Sequence, residues 1–196
     1  AINEVATKEF YEPLGIWHTT YLPLQKFPKE QITPTENDTY FRKETVHGYV
    51  HDPGAAMLGG VGGHAGLFSN ANDLGKLMYM LINEGEYAGK QYLSKEVIQQ
   101  YTSCQFCETN RRAAGFDKPV AEGGGPTCDS ISPNSFGHSG FTGTITWADP
   151  DERVVYVFLS NRVYPSAENS KLVKMNIRTN IQKVIYDAIK QSKQIN

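Results

Sequence analysis

The chain has 196 residues, 39% of them hydrophobic and 20% charged, and a formal net charge of -2. That length and composition describe one globular domain with its own core, not a linker or a disordered tail. With no basic field and no run of five like charges, it offers nothing to collect a nucleic-acid backbone or an anionic membrane, and no stretch approaches the roughly 18 apolar residues of a membrane span.

In chain order, Ala1-Ile2-Asn3-Glu4-Val5 shows neither a Met nor the basic and hydrophobic regions of a leader, and reads as the middle of a helix. The expectation is a part of a longer precursor. Ile2, Val5, Ala6 and Phe10 fall at helical spacing, closed by Pro13 and Gly15. Residues 16 to 65 read as loop, because Pro23, Pro28, Pro34, Pro53 and the cluster Gly59-Gly60-Val61-Gly62-Gly63 interrupt any long element. After a short apolar run from Ala65 to Phe68, Asn70 caps a helix whose stripe is Leu74, Leu77, Met78, Leu81 and Ile82, ended by Gly85. Ser94 caps a shorter helix through Val97, Ile98 and Tyr101, and Pro119 to Pro133 is irregular. From Phe141 to Trp147 the residues alternate, with Phe141, Ile145 and Trp147 on one face and Thr142, Thr144 and Thr146 on the other. Asp149-Pro150-Asp151-Glu152 then turns into Val154 to Leu159, a run without a polar face that reads as an inner strand; the two strands predict a hairpin. Val173, Ile177, Ile181, Val184 and Ala188 mark a closing helix lying across that sheet.

Cys104, Cys107 and Cys128 are an odd set. The Cys104-Gln105-Phe106-Cys107 spelling lacks the strand-to-helix context of a redox pair and the fourth ligand of a zinc site. The simpler alternatives are a disulfide from Cys128 to one of the pair, or three free thiols. Five histidines, at 18, 47, 51, 64 and 138, show no metal-ligand spacing, and neither a metal nor a cofactor is expected. His51-Asp52 and His64 sit in loops, where a structural hydrogen bond is the default role. His138 differs, since Ser139 and Gly140 follow it and then a strand begins. A side chain at the start of an edge strand faces a cleft, Gly140 admits another backbone, and the next free N–H, that of Phe141, can point at a developing oxyanion.

Several segments in order carry a resemblance. Phe10-Tyr11-Glu12-Pro13-Leu14-Gly15 is similar to the F-x-P-L-G segment of beta-lactamase-like serine hydrolases. Ile32 to Glu36, Phe41-Arg42, Val50-His51-Asp52, Leu58 through Ser69, and Asp73-Leu74 look like one branch of that family. Phe136-Gly137-His138-Ser139-Gly140-Phe141-Thr142-Gly143-Thr144 resembles its third-motif strand, and Leu159-Ser160-Asn161-Arg162 with Tyr164-Pro165 the end of its last strand. The likeness covers nearly the whole chain.

The resemblance implies an α/β fold of the α+β type: an antiparallel sheet with flanking helices, plus part of a helical region. Residues 1–135 would belong to the helical region and long loops, and 136–196 to the sheet, in one structural unit. It also implies acyl transfer, in which a serine of S-x-x-K attacks a carbonyl, the lysine and a Y-x-N tyrosine move protons, and K-T-G or H-x-G lines the cleft. No serine here has lysine three places on and no tyrosine has asparagine two places on; Ser132-Pro133-Asn134 spells S-x-N too close to His138 to serve. By the same resemblance His138 stands for the third-motif cation or donor, Ser139 and Gly140 bind substrate, the Phe141 N–H is half of an oxyanion hole, and Asn161 and Arg162 face a substrate carboxylate. Histidine in the lysine's place is closer to D-alanyl-D-alanine peptidases and esterases than to class C beta-lactamases. The expected partner is a peptide or small-molecule amide or ester in the full-length protein, in the periplasm or outside the cell. Self-association is expected where truncation leaves a strand edge and helix faces uncovered. The alternative is a non-catalytic docking module, appended to a cell-wall glycoside hydrolase.

Overall fold

The computed structural model describes residues 1–120 and 125–195, without the side chain of Ile195; residues 121–124 of the irregular 119–133 stretch lie outside it. The chain forms two compact units. The first comprises Ala1–Lys76, Phe141–Thr144 and Leu159–Ser170; the second comprises Leu77–Gly140, Ile145–Phe158 and the chain from Lys171 onward. Both sequence regions, 1–135 and 136–196, contribute to each unit.

The first unit opens on α1 (Ile2–Ala6), continued by a π-helical turn over Thr7–Tyr11, where Pro13 and Gly15 end it as the sequence requires. The expected loop from 16 to 65 holds more structure than its prolines and glycines suggest. After β1 (Thr20–Tyr21), β2 (Pro34–Asp38) and β3 (Glu44–His47) form an antiparallel hairpin, and α2 (Pro53–Met57) follows. The reason is positional: Pro34 begins its strand, where no ladder N–H is missed, and Pro53 occupies the first turn of its helix behind the Asp52 cap, whose carboxylate accepts from Ala55 N at 2.7 Å. The hairpin loop is tied by side chains. Asp38 accepts the N–H groups of Tyr40, Phe41 and Arg42 at 2.8 to 2.9 Å, and the Arg42 guanidinium beside it holds its carboxyl well below the usual range. β4 (Leu67–Phe68) returns to pair with β1.

α3 (Ala71–Ile82) begins in the first unit and ends in the second. Asn70 caps it through Asp73 N at 2.9 Å; Gly85, at φ +89°, takes the left-handed turn that closes it with a bond to Met80 O. Met78, Met80, Leu81 and Ile82 are buried. At its start Asp73 is buried as well, accepting from His18 N at 2.7 Å and Thr19 Oγ1 at 3.2 Å.

The second unit adds the small hairpin of β5 (Glu86–Tyr87) and β6 (Lys90–Gln91), then α4 (Lys95–Thr102) behind its Ser94 cap. Its sheet is antiparallel: β7 (Phe136–Ser139), β8 (Ile145–Asp149) and β9 (Val154–Phe158), with β8 central. Two expectations need correcting. Residues 141–144 form no part of the strand: β8 starts at Ile145, and Phe141, 64% exposed, lies in the preceding turn, because the glycines at 140 and 143 bracket a turn more readily than a ladder. And β9 is an outer strand among the described residues, with only Tyr156 buried. The 149–154 hairpin itself forms as the sequence predicts. Ile145, Trp147 and Tyr156 make the core of the sheet, with the Trp147 indole donating to the buried Ser135 Oγ at 3.0 Å.

After α5 (Lys171–Lys174), α6 (Ile177–Ile195) covers the sheet with the opposite face from the one expected. Val173, Ile181, Val184 and Ile185 are exposed, while Gln182 and Tyr186, one turn apart, are buried. Polar anchors explain the rotation. Gln182 Oε1 accepts from Cys128 N at 2.8 Å, Tyr186 donates to Asp149 at 2.7 Å, and the Tyr156 hydroxyl donates to Arg178 O at 2.9 Å. Asp149 also accepts from Ser132 N and Oγ; burial pushes its carboxyl up, but the bonds from Ser132 and Tyr186 outweigh it and the net shift is downward. Cysteine pairing differs from both simple alternatives: Cys104 is bonded to Cys107, and Cys128 is a free, buried thiol. Cys128 is held by its backbone, its N–H donating to Gln182 Oε1 of α6 at 2.8 Å. No helix among the described residues is long and apolar enough to cross a membrane.

Candidate active site

In the second unit, the third-motif residues stand on β7, the edge strand beside β8: His138 faces Thr146 in the ladder and Ser139 faces Ile145. Gly137 permits this close pairing. A Cβ there would meet Thr146 O and lie 2.6 Å from the Trp147 ring. On the other side of β7, Asp117 exchanges backbone bonds with Gly137, N to O at 2.8 Å and O from N at 3.1 Å. That bridge brings a charged group the sequence reading missed. The buried Asp117 carboxylate pairs with Arg111 at 2.7 Å and with Arg112, whose Nη1 also lies 3.3 Å from His138 Nε2.

Chemistry fixes the roles in that contact. A guanidinium has donors only, so Nε2 of His138 is the acceptor and the ring proton sits on Nδ1, which donates to Ser139 O at 2.9 Å. The permanent positive charge beside the third motif is therefore Arg112, steered by Asp117, and the imidazole is its hydrogen-bond partner. Twenty-five residues separate Arg112 from His138, and no spacing rule would have joined them; only the Asp117–Gly137 bridge does.

In the first unit, Phe141 and Arg162 come together. The Arg162 guanidinium stacks 4.4 Å from the Phe141 ring centroid and its Nε donates to Phe141 O at 2.8 Å. The Phe141 N–H has no acceptor among the described residues, while the carbonyls of 141, 142 and 143 are all taken by Arg162 or Ser160. Asn161 is committed to the backbone: its amide donates to Pro34 O and to Thr35 O at 2.9 Å, and its Oδ1 accepts from Val163 N at 3.1 Å. His51 also reaches this group, its ring 5.3 Å from that of Phe141 and its Nε2 3.3 Å from Glu36. His64 pairs with Asp52 at 2.9 Å beside the cap of α2, a structural role of the kind expected. No cluster of three metal-ligating side chains occurs among the described residues.

The first unit thus holds the Phe141 N–H in a turn whose carbonyls are taken, and the second carries on β7 an imidazole, a hydroxyl and a neighbouring guanidinium. The Beta-lactamase family profile matches residues 2–175. A putative D-alanyl-D-alanine carboxypeptidase of Escherichia coli O157:H7 is 35% identical over 188 residues, covering 87% of this chain and 42% of the relative; one of Salmonella gallinarum is 34% identical over 175 residues, covering 83% and 40%. The chain thus spans less than half the length of these curated relatives. In fold it is similar to simvastatin synthase from Aspergillus terreus (TM-score 0.62, 14% identity, 97% of this chain and 50% of that one). It is likewise similar to a beta-lactamase from Mycobacterium bovis (TM-score 0.55, 18% identity, 89% and 56%). Its mixed helices and antiparallel sheet are those of the beta-lactamase and transpeptidase fold, and the chain belongs to the beta-lactamase family.

Proposed function

We propose that the native protein is a serine hydrolase working by acyl transfer on an amide or ester, with a D-alanyl-D-alanine-like carbonyl as its preferred class, and that these 196 residues supply the third-motif wall of its site. The unpartnered Phe141 N–H, in the turn that follows β7 and Gly140, is the observation that carries this reading. In it, the N–H donates to the oxyanion, Ser139 and Gly140 line the substrate, Arg112, held by Asp117 and the His138 ring, draws its carboxylate, and Arg162 with Ser160 holds the turn. The names of the curated relatives support the substrate class. The serine and lysine come from outside this sequence, so the isolated chain is inactive. Incubation with a fluorescent penicillin tests this: the native protein labels stoichiometrically and the 196-residue chain does not, whereas labelling of the isolated chain sinks the proposal.

The absence of S-x-x-K and Y-x-N from the sequence favours a second reading, a docking module that has kept the fold without the chemistry. A native protein that resists the same probe, and an activated ester, decides for it. The Cys104–Cys107 bond supports a periplasmic or extracellular setting, where such bonds persist. The exposed Ile181, Val184 and Ala188 of α6, with the half-buried Ile177, repeat at the four-three-four spacing of a helix-pairing seam, which supports self-association through a second copy's α6.

A further inference from the structure

An oxyanion donor works by being aimed before the reaction begins, and the turn that carries Phe141 looks poorly suited to hold an aim. Glycines stand at 140 and 143, the latter at φ +111°, and the Phe141 side chain is largely exposed. What restrains it lies elsewhere in the same unit. The three carbonyls of the turn are each held: Arg162 Nε donates to Phe141 O and Arg162 N to Thr142 O, both at 2.8 Å, and Ser160 Oγ donates to Gly143 O at 2.9 Å. The ring is held by the Arg162 guanidinium at 4.4 Å and by the His51 imidazole at 5.3 Å.

His51 is in turn anchored through its backbone and its ring. Arg42 donates to the carbonyls of Val50 at 2.6 Å and His51 at 2.8 Å, and pairs with Glu36 at 2.6 Å and Asp38 at 2.8 Å; the second oxygen of Glu36 lies 3.3 Å from His51 Nε2. Arg42 and Glu36 keep only 13% and 14% of their side chains exposed, so this is a partly buried, forked network, unlike a solvated surface pair. It runs from the β2–β3 hairpin to the face of the Phe141 ring.

We propose that His51 and Arg162 are positioning residues that clamp the Phe141 ring and carbonyl so that its N–H keeps one direction, the direction in which a carbonyl of the substrate develops negative charge. This rests on the acyl-transfer reading above. Arg162 acts through the main chain and the ring together; His51 acts through the ring alone, set by Glu36.

Two measurements on the native protein test the clamp and keep it separable from the function it serves. The first is the amide NMR signals of residues 141–143 in wild type, His51→Ala and Arg162→Ala: both variants shift or broaden these signals while those of Ile145–Phe158 stay in place. Unchanged 141–143 signals overturn the clamp whatever the protein catalyses. The second is steady-state kinetics on an activated ester. His51→Ala lowers kcat about tenfold with KM unchanged, since a misaimed donor loses transition-state and not ground-state contact. His51→Phe recovers most of that loss because it restores the ring contact, and adding Phe141→Ala to His51→Ala costs little more. A rise in KM alone, or no recovery in His51→Phe, overturns the positioning role in favour of direct contact between the imidazole and substrate. A wild type with no esterase activity, together with shifted 141–143 signals, leaves the clamp standing and removes the proposed reaction.

Discussion

α3 and α6 carry similar apolar stripes in the sequence and use them in opposite ways. α3 buries Met78, Leu81 and Ile82 of its expected stripe and half-buries Leu74 and Leu77, with Met80 buried beside them. α6 turns Ile181, Val184 and Ile185 to solvent and buries Gln182 and Tyr186. A hydrophobic stripe therefore fixes which residues share a face, while anchors on the neighbouring strands decide which face goes inward. On α6 three polar bonds, to Cys128, Asp149 and from Tyr156, set that choice.

The contrast is breakable by substitution. Met78→Ala, at a side chain 2% exposed, is expected to cost about 2–5 kcal/mol, the range for a truncated core side chain, read as a drop in the urea midpoint. Tyr186→Phe removes a bond to a buried carboxylate and is expected to cost about 1.5–3 kcal/mol by the same assay. A loss no greater than that of an exposed site would mean that the α6 anchor is not what orients the helix. The same bond has a pH signature. Because Asp149 is depressed in the folded state, its contribution is complete above the unfolded carboxylate pKa of about 3.9 and fades as pH falls through the lower folded value. Acid-unfolding curves of Asp149→Asn should accordingly show a shallower acid limb than wild type. Val184→Gln, 69% exposed, should change stability by no more than about 0.5 kcal/mol. Light scattering should nonetheless show less self-association; a large stability loss there would mean that the outward stripe is covered in solution by this same chain.

The sequence made the local elements legible where a cap, a stripe and a stop agree, as at Asn70, Met78 and Gly85, or where a turn joins two apolar runs, as at 149–154. It misled where a breaker was read without its position. Pro34 and Pro53 begin elements, and Gly140 and Gly143 bracket a turn that alternation alone presents as strand. The motif at 138–141 was visible as a spelling, but its surroundings were not. Arg112 reaches His138 through a backbone bridge at Asp117, and His51 reaches Phe141 through a salt-bridged hairpin. Contacts of that kind depend on pairing between distant segments, which no local period encodes.

Gly137 gives the third motif a sensitivity out of proportion to its size. Strand residues alternate between faces, so whatever sets the register of β7 also sets which way position 138 looks. The absence of a side chain at 137 lets the strand settle against the Trp147 ring, and both Thr146 and Asp117 then read that register from opposite edges. The orientation of the imidazole is thus written one residue before it, by a carbon that is not there.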